Sequence, residues 1–256
     1  MRLIILIMVT LTSTAAVAQK QHLTACFSDW YPYSYIKDDK ATGLSIEIYS
    51  AAIKRAGLEI VYEHRPWKRC RIEVSNGIVD AAVDGGIKIE NTLNANKRPV
   101  PWVILVWVKQ NSAYQKFEGY SQFKSKHIAY VRGYGYPQDF FDYKGFKKSS
   151  VTKDLHGLKV LQGRDVDAFF GDLVNNTQLV KLHDLNVRSI GPAISISMLT
   201  LSFHNSLLQE HSRFEVALNE MYKDGSIDIF YNKYLGTTYD EFMNKYSISK
   251  GAHPPN

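Results

Sequence analysis

The sequence predicts an α/β fold of two similar lobes. Short apolar strands alternate with amphipathic helices, which is the pattern of parallel α/β units. A strand–helix–strand unit ends in IVDAAVDG in the first half of the chain and in DVDAFFGD in the second. Apolar, β-branched stretches occur between these units at 99–110 and after them at 195–205, so we expect two crossover strands between the lobes.

The N-terminus has the features of a cleaved export signal. Arg2 precedes an apolar run at 3–11, and the AVA at 16–18 fits the A-x-A cleavage pattern. A membrane anchor is the alternative, but a run of about nine residues is too short to span roughly 30 Å of hydrocarbon. We therefore expect 1–18 to be a signal peptide and the protein to be periplasmic.

The first lobe is predicted from five elements in order. A strand at 23–28 is followed by a helix at 45–57, whose apolar residues recur at helical spacing before a glycine. A second strand at 58–65 leads to a helix at 66–76, where proline suits the first turn. The short apolar run at 79–85 is typical of a buried parallel strand.

The second lobe repeats this order. We expect a strand at 127–133, a helix at 137–144, a helix ending at Gly163 and a strand at 165–172. The remainder is predicted to be helical, with Phe214, Leu218 and Met221 on one face.

These elements divide the chain into segments. We expect the first lobe at 19–108, the second lobe at 109–198 and a return to the first lobe at 199–250. Residues 251–256 are predicted to be a frayed tail.

The chain contains two cysteines, Cys26 and Cys70. In an exported protein an even pair favours a disulfide, although two isolated thiols or a metal site are alternatives. A metal site needs further ligands, and His64 lies nearby without CxxC or HxxxH spacing. We expect a disulfide and no metal site.

Charge and composition exclude some partners. The net charge is +6, and the 31 lysines and arginines are spread along the chain rather than clustered in a tail. This distribution does not indicate nucleic-acid binding. No motif for a nucleotide or other cofactor is found, so we expect no cofactor.

Four segments resemble the extracellular solute-binding proteins of family 3, the receptors of ABC importers for polar amino acids. They are DWYPYSYIKDDKATGLSIEIYSAAIKRAGLEI, PWKRCRIEVSNGIVDAAVDGG, LQGRDVDAFFGD and VALNEMYKDGSIDIFYNKYLG, which occur in the family's order. The resemblance implies a type II periplasmic binding protein with an interlobe cleft that closes on a solute by hinge bending. It also implies an inner-membrane ABC permease as partner, and we expect a monomer.

Aromatic residues follow the first strand. The carboxyl ends of strands border the crevice in an open α/β sheet, and the family places an aromatic ring against the ligand here. Packing of the loop onto its own lobe is the alternative. We predict that Trp30 and Tyr33 bind the ligand, ahead of Tyr31 and Tyr35.

Two further candidates lie at strand ends of the second lobe. Asp172 follows the strand at 165–172, where amino-acid-binding members use an aspartate to bind the ligand's ammonium; an N-cap is the alternative or additional role. Arg132 and Tyr134 lie in a glycine-rich strand-to-helix loop, where backbone N–H groups can face an anion. A plain turn is the competing interpretation.

The first lobe contributes Asp84, Gly85 and Gly86, which the strand at 79–85 carries to the edge of the cleft. The family's carboxylate-binding arginine is absent, because Asn91 or Thr92 stands at its position.

Other cations were considered as substitutes for this arginine. Arg98 is too far along the chain, and Lys88 offers a point charge rather than a bidentate fork. Arg69 is the predicted substitute, with a solvated helix face as its alternative. The sequence therefore leaves the ligand unnamed among amino acids and related small acids or amines.

The predicted function is a receptor without catalytic turnover. No GxSxG, HExxH or suggestively spaced carboxylate pair appears in the sequence. Some relatives of this fold are dehydratases of cyclic acids, and a stand-alone receptor could instead report to a separate signalling protein. These two functions remain the alternatives.

Overall fold

The computed structural model describes residues 22–85, 89–163 and 165–246. The predicted signal peptide, the tail at 251–256 and Gly86 lie outside these residues. The strands are β1 (His22–Phe27), β2 (Tyr35–Lys37), β3 (Lys40–Thr42), β4 (Glu59–His64), β5 (Ala81–Ala82), β6 (Thr92–Asn94), β7 (Val100–Lys109), β8 (His127–Val131), β9 (Lys147–Val151), β10 (Ala168–Asp172), β11 (Val187–Leu199) and β12 (Ser202–His204). The helices are α1 (Leu44–Arg55), α2 (Trp67–Ser75), α3 (Gln138–Asp142), α4 (Asp154–Gly163), α5 (Leu173–Leu182), α6 (Leu208–Lys223), α7 (Ser226–Leu235) and α8 (Tyr239–Lys245).

The first sheet has the order β4-β1-β5-β12-β6. β1 pairs in parallel with β4 and β5, whereas β12 runs antiparallel to β5 and β6. The chain therefore returns to this sheet through β12, after it has formed the second sheet. Phe214, Leu218 and Met221 of α6 are fully buried, which confirms the predicted apolar face.

The second sheet has the order β11-β7-β10-β8-β9. β8 is parallel to β9 and β10, and β7 is antiparallel to both β10 and β11. The predicted boundary at 108–109 falls at the end of β7, whose partners in the described part of the chain belong to this sheet. We therefore propose that the second lobe begins with β7 rather than after it.

Local predictions differ from the structure in several places, and the strand predicted at 195–205 is divided between the end of β11 and β12. The strand predicted at 79–85 is limited to Ala81–Ala82, because Asp84 has a φ of 58° and turns the backbone out of the sheet. The hairpin of β2 and β3 was not predicted. Its turn is made by Asp38 and Asp39, which adopt φ of 50° and 57°, a conformation that aspartate tolerates better than most residues.

The predicted disulfide between Cys26 and Cys70 is confirmed. It joins the end of β1 to α2 across a Cα–Cα distance of 5.6 Å. Both cysteines are fully buried and pack with Val74 and Ala82 in a small apolar cluster. The bridge thereby attaches α2 to the strand that leads into the aromatic loop.

Candidate functional site

A cavity of about 640 Å³, including its open mouth, lies between the two sheets. Its lining residues are Ser28, Asp29, Trp30, Ser34, Trp67, Val83, Asp84, Trp102, Gly133, Tyr134 and Leu199.

The topology of the sheets explains why these residues meet. Asp29 and Trp30 follow the carboxyl end of β1, Asp84 follows β5, and Tyr134 follows β8. The crevice at the carboxyl ends of parallel strands is the usual ligand site of open α/β sheets. Trp102, from β7 of the second sheet, adjoins Trp30 in the wall of the cavity.

Aromatic rings form much of the wall. The ring centroids of Trp30 and Trp102 are 6.0 Å apart with planes at 89°, and those of Trp102 and Tyr134 are 5.2 Å apart with planes at 88°. Such edge-to-face contacts stabilise aromatic pairs and limit their rotation. Trp102 is nearly buried, so the aromatic wall is well packed before any ligand binds.

Asp84 is a buried carboxylate in the first lobe. Its Oδ1 accepts a hydrogen bond of 2.9 Å from the Tyr49 hydroxyl. Burial raises the pKa of Asp84 to about 7, although the hydrogen bond from Tyr49 and the nearby Ser45 hydroxyl act in the opposite direction. The group can therefore change its charge near neutral pH.

Asp29 is the second carboxylate of the lining. Its Oδ2 lies 3.3 Å from Nε2 of His64, and both side chains are about half exposed. Solvent screening weakens an ion pair of this kind. Asp29 therefore adds negative charge at the mouth of the cavity.

A group of buried polar side chains lies behind Tyr134. The Tyr134 hydroxyl donates a hydrogen bond to Asp154, and Asp172 lies close enough for the charge of Asp154 to raise its pKa. Burial is the larger cause of the raised pKa of Asp172, and it raises the pKa of Asp154 to about 6. The ring of Tyr134 thus separates the cavity from two buried carboxylates.

Asp172 is the N-cap of helix α5, which is the alternative role that the sequence predicted for it. Its Oδ1 accepts a hydrogen bond of 2.5 Å from the backbone N–H of Asn175 at the start of α5. Its Oδ2 has no hydrogen-bond partner among the described residues. Asp172 is fully buried and is not part of the lining, so a role in ligand binding stays a prediction.

Tyr33 and Gly85 lie next to the site rather than in its lining. Tyr33 is fully buried, stacks against Trp30 with centroids 4.2 Å apart, and donates a hydrogen bond to the Pro101 carbonyl. A Cβ on Gly85 would lie 2.3 Å from Oγ of Ser202, so close packing explains this glycine. Both residues support the shape of the cavity.

The two predicted arginines are directed to other partners. Nε of Arg69 lies 2.6 Å from Oε1 of Glu73, one helical turn away, and the side chain is mostly exposed. The Arg132 guanidinium donates to Oγ of Ser150 at 3.2 Å. The residue after it, Gly133, lines the cavity instead.

Asn91 and Thr92, which stand at the position of the family's carboxylate-binding arginine, donate hydrogen bonds to backbone carbonyls. Asn91 Nδ2 donates to the Ser75 carbonyl, and the Thr92 hydroxyl donates to the Ile89 carbonyl. Neither side chain lines the cavity. Lys88 lies outside the described residues.

Sequence reasoning missed Trp102 and Trp67 as lining residues. Trp102 lies in a strand in which residues 100–108 are all buried, so no alternation distinguishes a cavity-facing position. Trp67 belongs to the Trp-x-Arg pattern, but roles were predicted only for its neighbours Arg69 and Cys70. The position of either ring depends on elements that are distant in sequence.

The described residues contain neither a candidate metal site nor a candidate membrane-spanning helix. No group of three or more His, Cys, Asp or Glu side chains is placed to hold a metal ion there. None of the helices described is long and apolar enough to cross a membrane.

A family model matches residues 23–237, and its description is bacterial extracellular solute-binding proteins, family 3. No curated protein matches the chain. The matched region contains every residue that lines the cavity.

Solved structures share the fold at low identity. A probable amino-acid ABC transporter extracellular-binding protein, ytmK from Bacillus subtilis, is 15% identical with a TM-score of 0.74, covering 85% of this chain and 99% of that one. The arginine-, lysine-, histidine-binding protein ArtJ from Geobacillus stearothermophilus is 17% identical with a TM-score of 0.68, covering 90% and 100%. A histidine kinase sensor domain similar to periplasmic binding proteins is 15% identical with a TM-score of 0.70, covering 86% and 98%.

Proposed function

The chain belongs to the bacterial extracellular solute-binding proteins of family 3, and on this basis we propose that it is a periplasmic receptor that captures a small polar solute in the cavity between its sheets. The solute is an amino acid or a related small acid or amine. The receptor then delivers it to an inner-membrane ABC permease, acting as a monomer without catalytic turnover.

The cavity carries this proposal because both sheets contribute to its wall. Trp30 and Asp84 come from the first sheet's loops, whereas Trp102 and Tyr134 come from the second. A ligand that contacts both sides stabilises the closed arrangement by its difference in affinity for the closed and open states. Capture by closure requires such two-sided contact.

A thermal-shift screen of amino acids, opines, polyamines and small carboxylates tests the proposal. A ligand at 100 times its Kd is expected to raise the free energy of unfolding by about 2.7 kcal/mol. No shift across the whole library, or conversion of a bound compound to product, contradicts it.

Two tryptophans of β7 provide a matched pair of variants. Trp102 lines the cavity, whereas Trp107 is buried in the second sheet's core and donates its Nε1–H to the Gly171 carbonyl. We expect Trp102→Phe to weaken binding of a ligand found in the screen by about tenfold, because part of the aromatic wall is lost. Calorimetry should give an unchanged Kd for Trp107→Phe; equal losses in both variants would show that stability, not contact, is affected.

Experiments in cells distinguish a transport function from a signalling function. If the receptor serves an importer, deletion of its gene should abolish uptake of the labelled solute at concentrations near the Kd. Unchanged uptake together with a lost transcriptional response to the solute would favour the signalling alternative.

A further inference from the structure

We infer that the cavity recognises an organic cation, a ligand with an amine or guanidinium group whose other polar atoms are uncharged. The inference rests on the proposed function and deepens it by naming the ligand class of the same cavity. The inference starts from the charged side chains that line the cavity. Among the described residues the lining contains two carboxylates, Asp29 and Asp84, and no lysine or arginine.

The arginines near the site do not compensate for these carboxylates. Arg69 pairs with Glu73, and Arg98 is directed to a backbone carbonyl at 3.5 Å. Arg132 is bound to a serine hydroxyl on the neighbouring strand. A ligand carboxylate in this cavity would therefore face negative groups without the bidentate partner that usually binds it.

The aromatic wall favours a positive ligand group. The faces of indole and phenol rings are negative, and they attract a cation within about 6 Å of the ring centroid. Trp30, Trp102 and Tyr134 meet at near right angles, so their faces point in different directions around the cavity. Trp67 adds a fourth ring to the same lining.

Buried carboxyl groups behind the wall would also interact favourably with a cation. The hydroxyl of Tyr134 donates to Asp154, and Asp172 lies beside it, both of them buried. No ion pair joins Asp84, Asp154 or Asp172 to a lysine or arginine within the described ranges. Burial raises the pKa of all three groups, and a cationic ligand nearby would favour their ionised forms.

The uncharged donors of the wall specify the rest of the ligand. Nε1 of Trp30 and Nε1 of Trp102 are buried without a hydrogen-bond partner among the described residues. An unsatisfied buried donor costs free energy, and a ligand acceptor that reached either N–H would remove that cost. Because Asp29 and Asp84 lie in the same lining, a hydroxyl or carbonyl oxygen fits these donors better than a carboxylate.

A matched series of probes on one skeleton tests the inference by calorimetry at pH 7. L-argininamide carries an uncharged amide where L-arginine carries a carboxylate. Agmatine has neither the amide nor the carboxylate. L-citrulline keeps the carboxylate but lacks the guanidinium charge. Cadaverine and glutarate extend the comparison to a plain diamine and a plain dianion. We expect L-argininamide, agmatine or cadaverine to bind at least tenfold tighter than L-citrulline and glutarate, with L-arginine no tighter than L-argininamide.

The outcomes separate this inference from the proposed function. L-arginine binding tenfold tighter than L-argininamide, or glutarate binding as tightly as the cations, overturns the ligand class and leaves the receptor intact. Binding of none of the three cations also overturns it. Failure of the whole library of amino acids, opines, polyamines and carboxylates would contradict the receptor function as well.

Variants identify the groups that attract the cation. Asp84→Asn keeps the size of the side chain and is expected to weaken the tightest cationic probe at least tenfold. Trp102→Leu should weaken it more than Trp102→Phe, which keeps a ring face, and Trp107→Phe should not change its Kd. If Asp84→Asn does not fold, the comparison of Trp102→Leu with Trp102→Phe decides the question. Equal affinities of these two variants for the cationic probe contradict attraction by the aromatic ring.

Discussion

Replacing Cys26 and Cys70 together by alanine is expected to lower the free energy of unfolding by about 4 kcal/mol. The bridge spans a sequence separation of 44 residues, and removing it increases the chain entropy of the unfolded state. For a chain of this size the loss corresponds to a fall in Tm on the order of 10 °C. Urea unfolding of the oxidised protein and the double variant measures the difference.

Reduction of the native protein provides the control for this prediction. Dithiothreitol should lower the stability of the native protein to near that of the double variant, and it should leave the variant unchanged. Equal stability of the oxidised and reduced native protein would mean that the packing around α2, rather than the bridge, holds the helix on β1.

Raising the pH from 5 to 8 is expected to destabilise the protein by about 2–3 kcal/mol through Asp84 alone. The folded protein raises the pKa of Asp84 from 3.8 to about 7 because the carboxylate is buried. A folded state with a raised acid pKa holds its proton more tightly than the unfolded state. The stabilisation is therefore complete below about pH 4 and is lost as the pH rises through about 7.

The variant Asp84→Asn tests whether Asp84 causes this dependence of stability on pH. Urea unfolding at pH 5 and pH 8 should show a smaller difference for the variant than for the native protein. Asp154 and Asp172 also have raised pKa values and leave a residual slope of the same sign. The matched control is Asp224→Asn.

Asp224 has a pKa lowered to about 2, chiefly by hydrogen bonds from Ser226, with a contribution from Arg55. Its titration lies below pH 5 in both the folded and unfolded states, so its replacement should leave the slope between pH 5 and 8 unchanged. A native protein more stable at pH 8 than at pH 5 would contradict the buried-carboxylate interpretation.

Much of the fold could be predicted from local patterns. Helical spacing of apolar residues before Gly57 and proline at 66 locate α1 and α2 within a few residues, because they limit backbone conformation locally. The repeated VDA segments and the late return of the chain indicate two lobes, and the family and the type II binding-protein fold are confirmed. β5 is shorter than predicted because one left-handed residue, Asp84, ends it.

The sequence by itself determined the alternation of elements, the pair of cysteines available for a bridge and the aromatic loop after β1. Only the tertiary structure decided that Trp30 lines the cavity while Tyr33 is buried beneath it, and that Trp102 from the second sheet joins Trp30 in the wall. It also directed Arg69 to Glu73. The physical reason is that local sequence limits φ, ψ and periodicity, whereas the side chains that reach a cavity are selected by packing between segments distant in sequence.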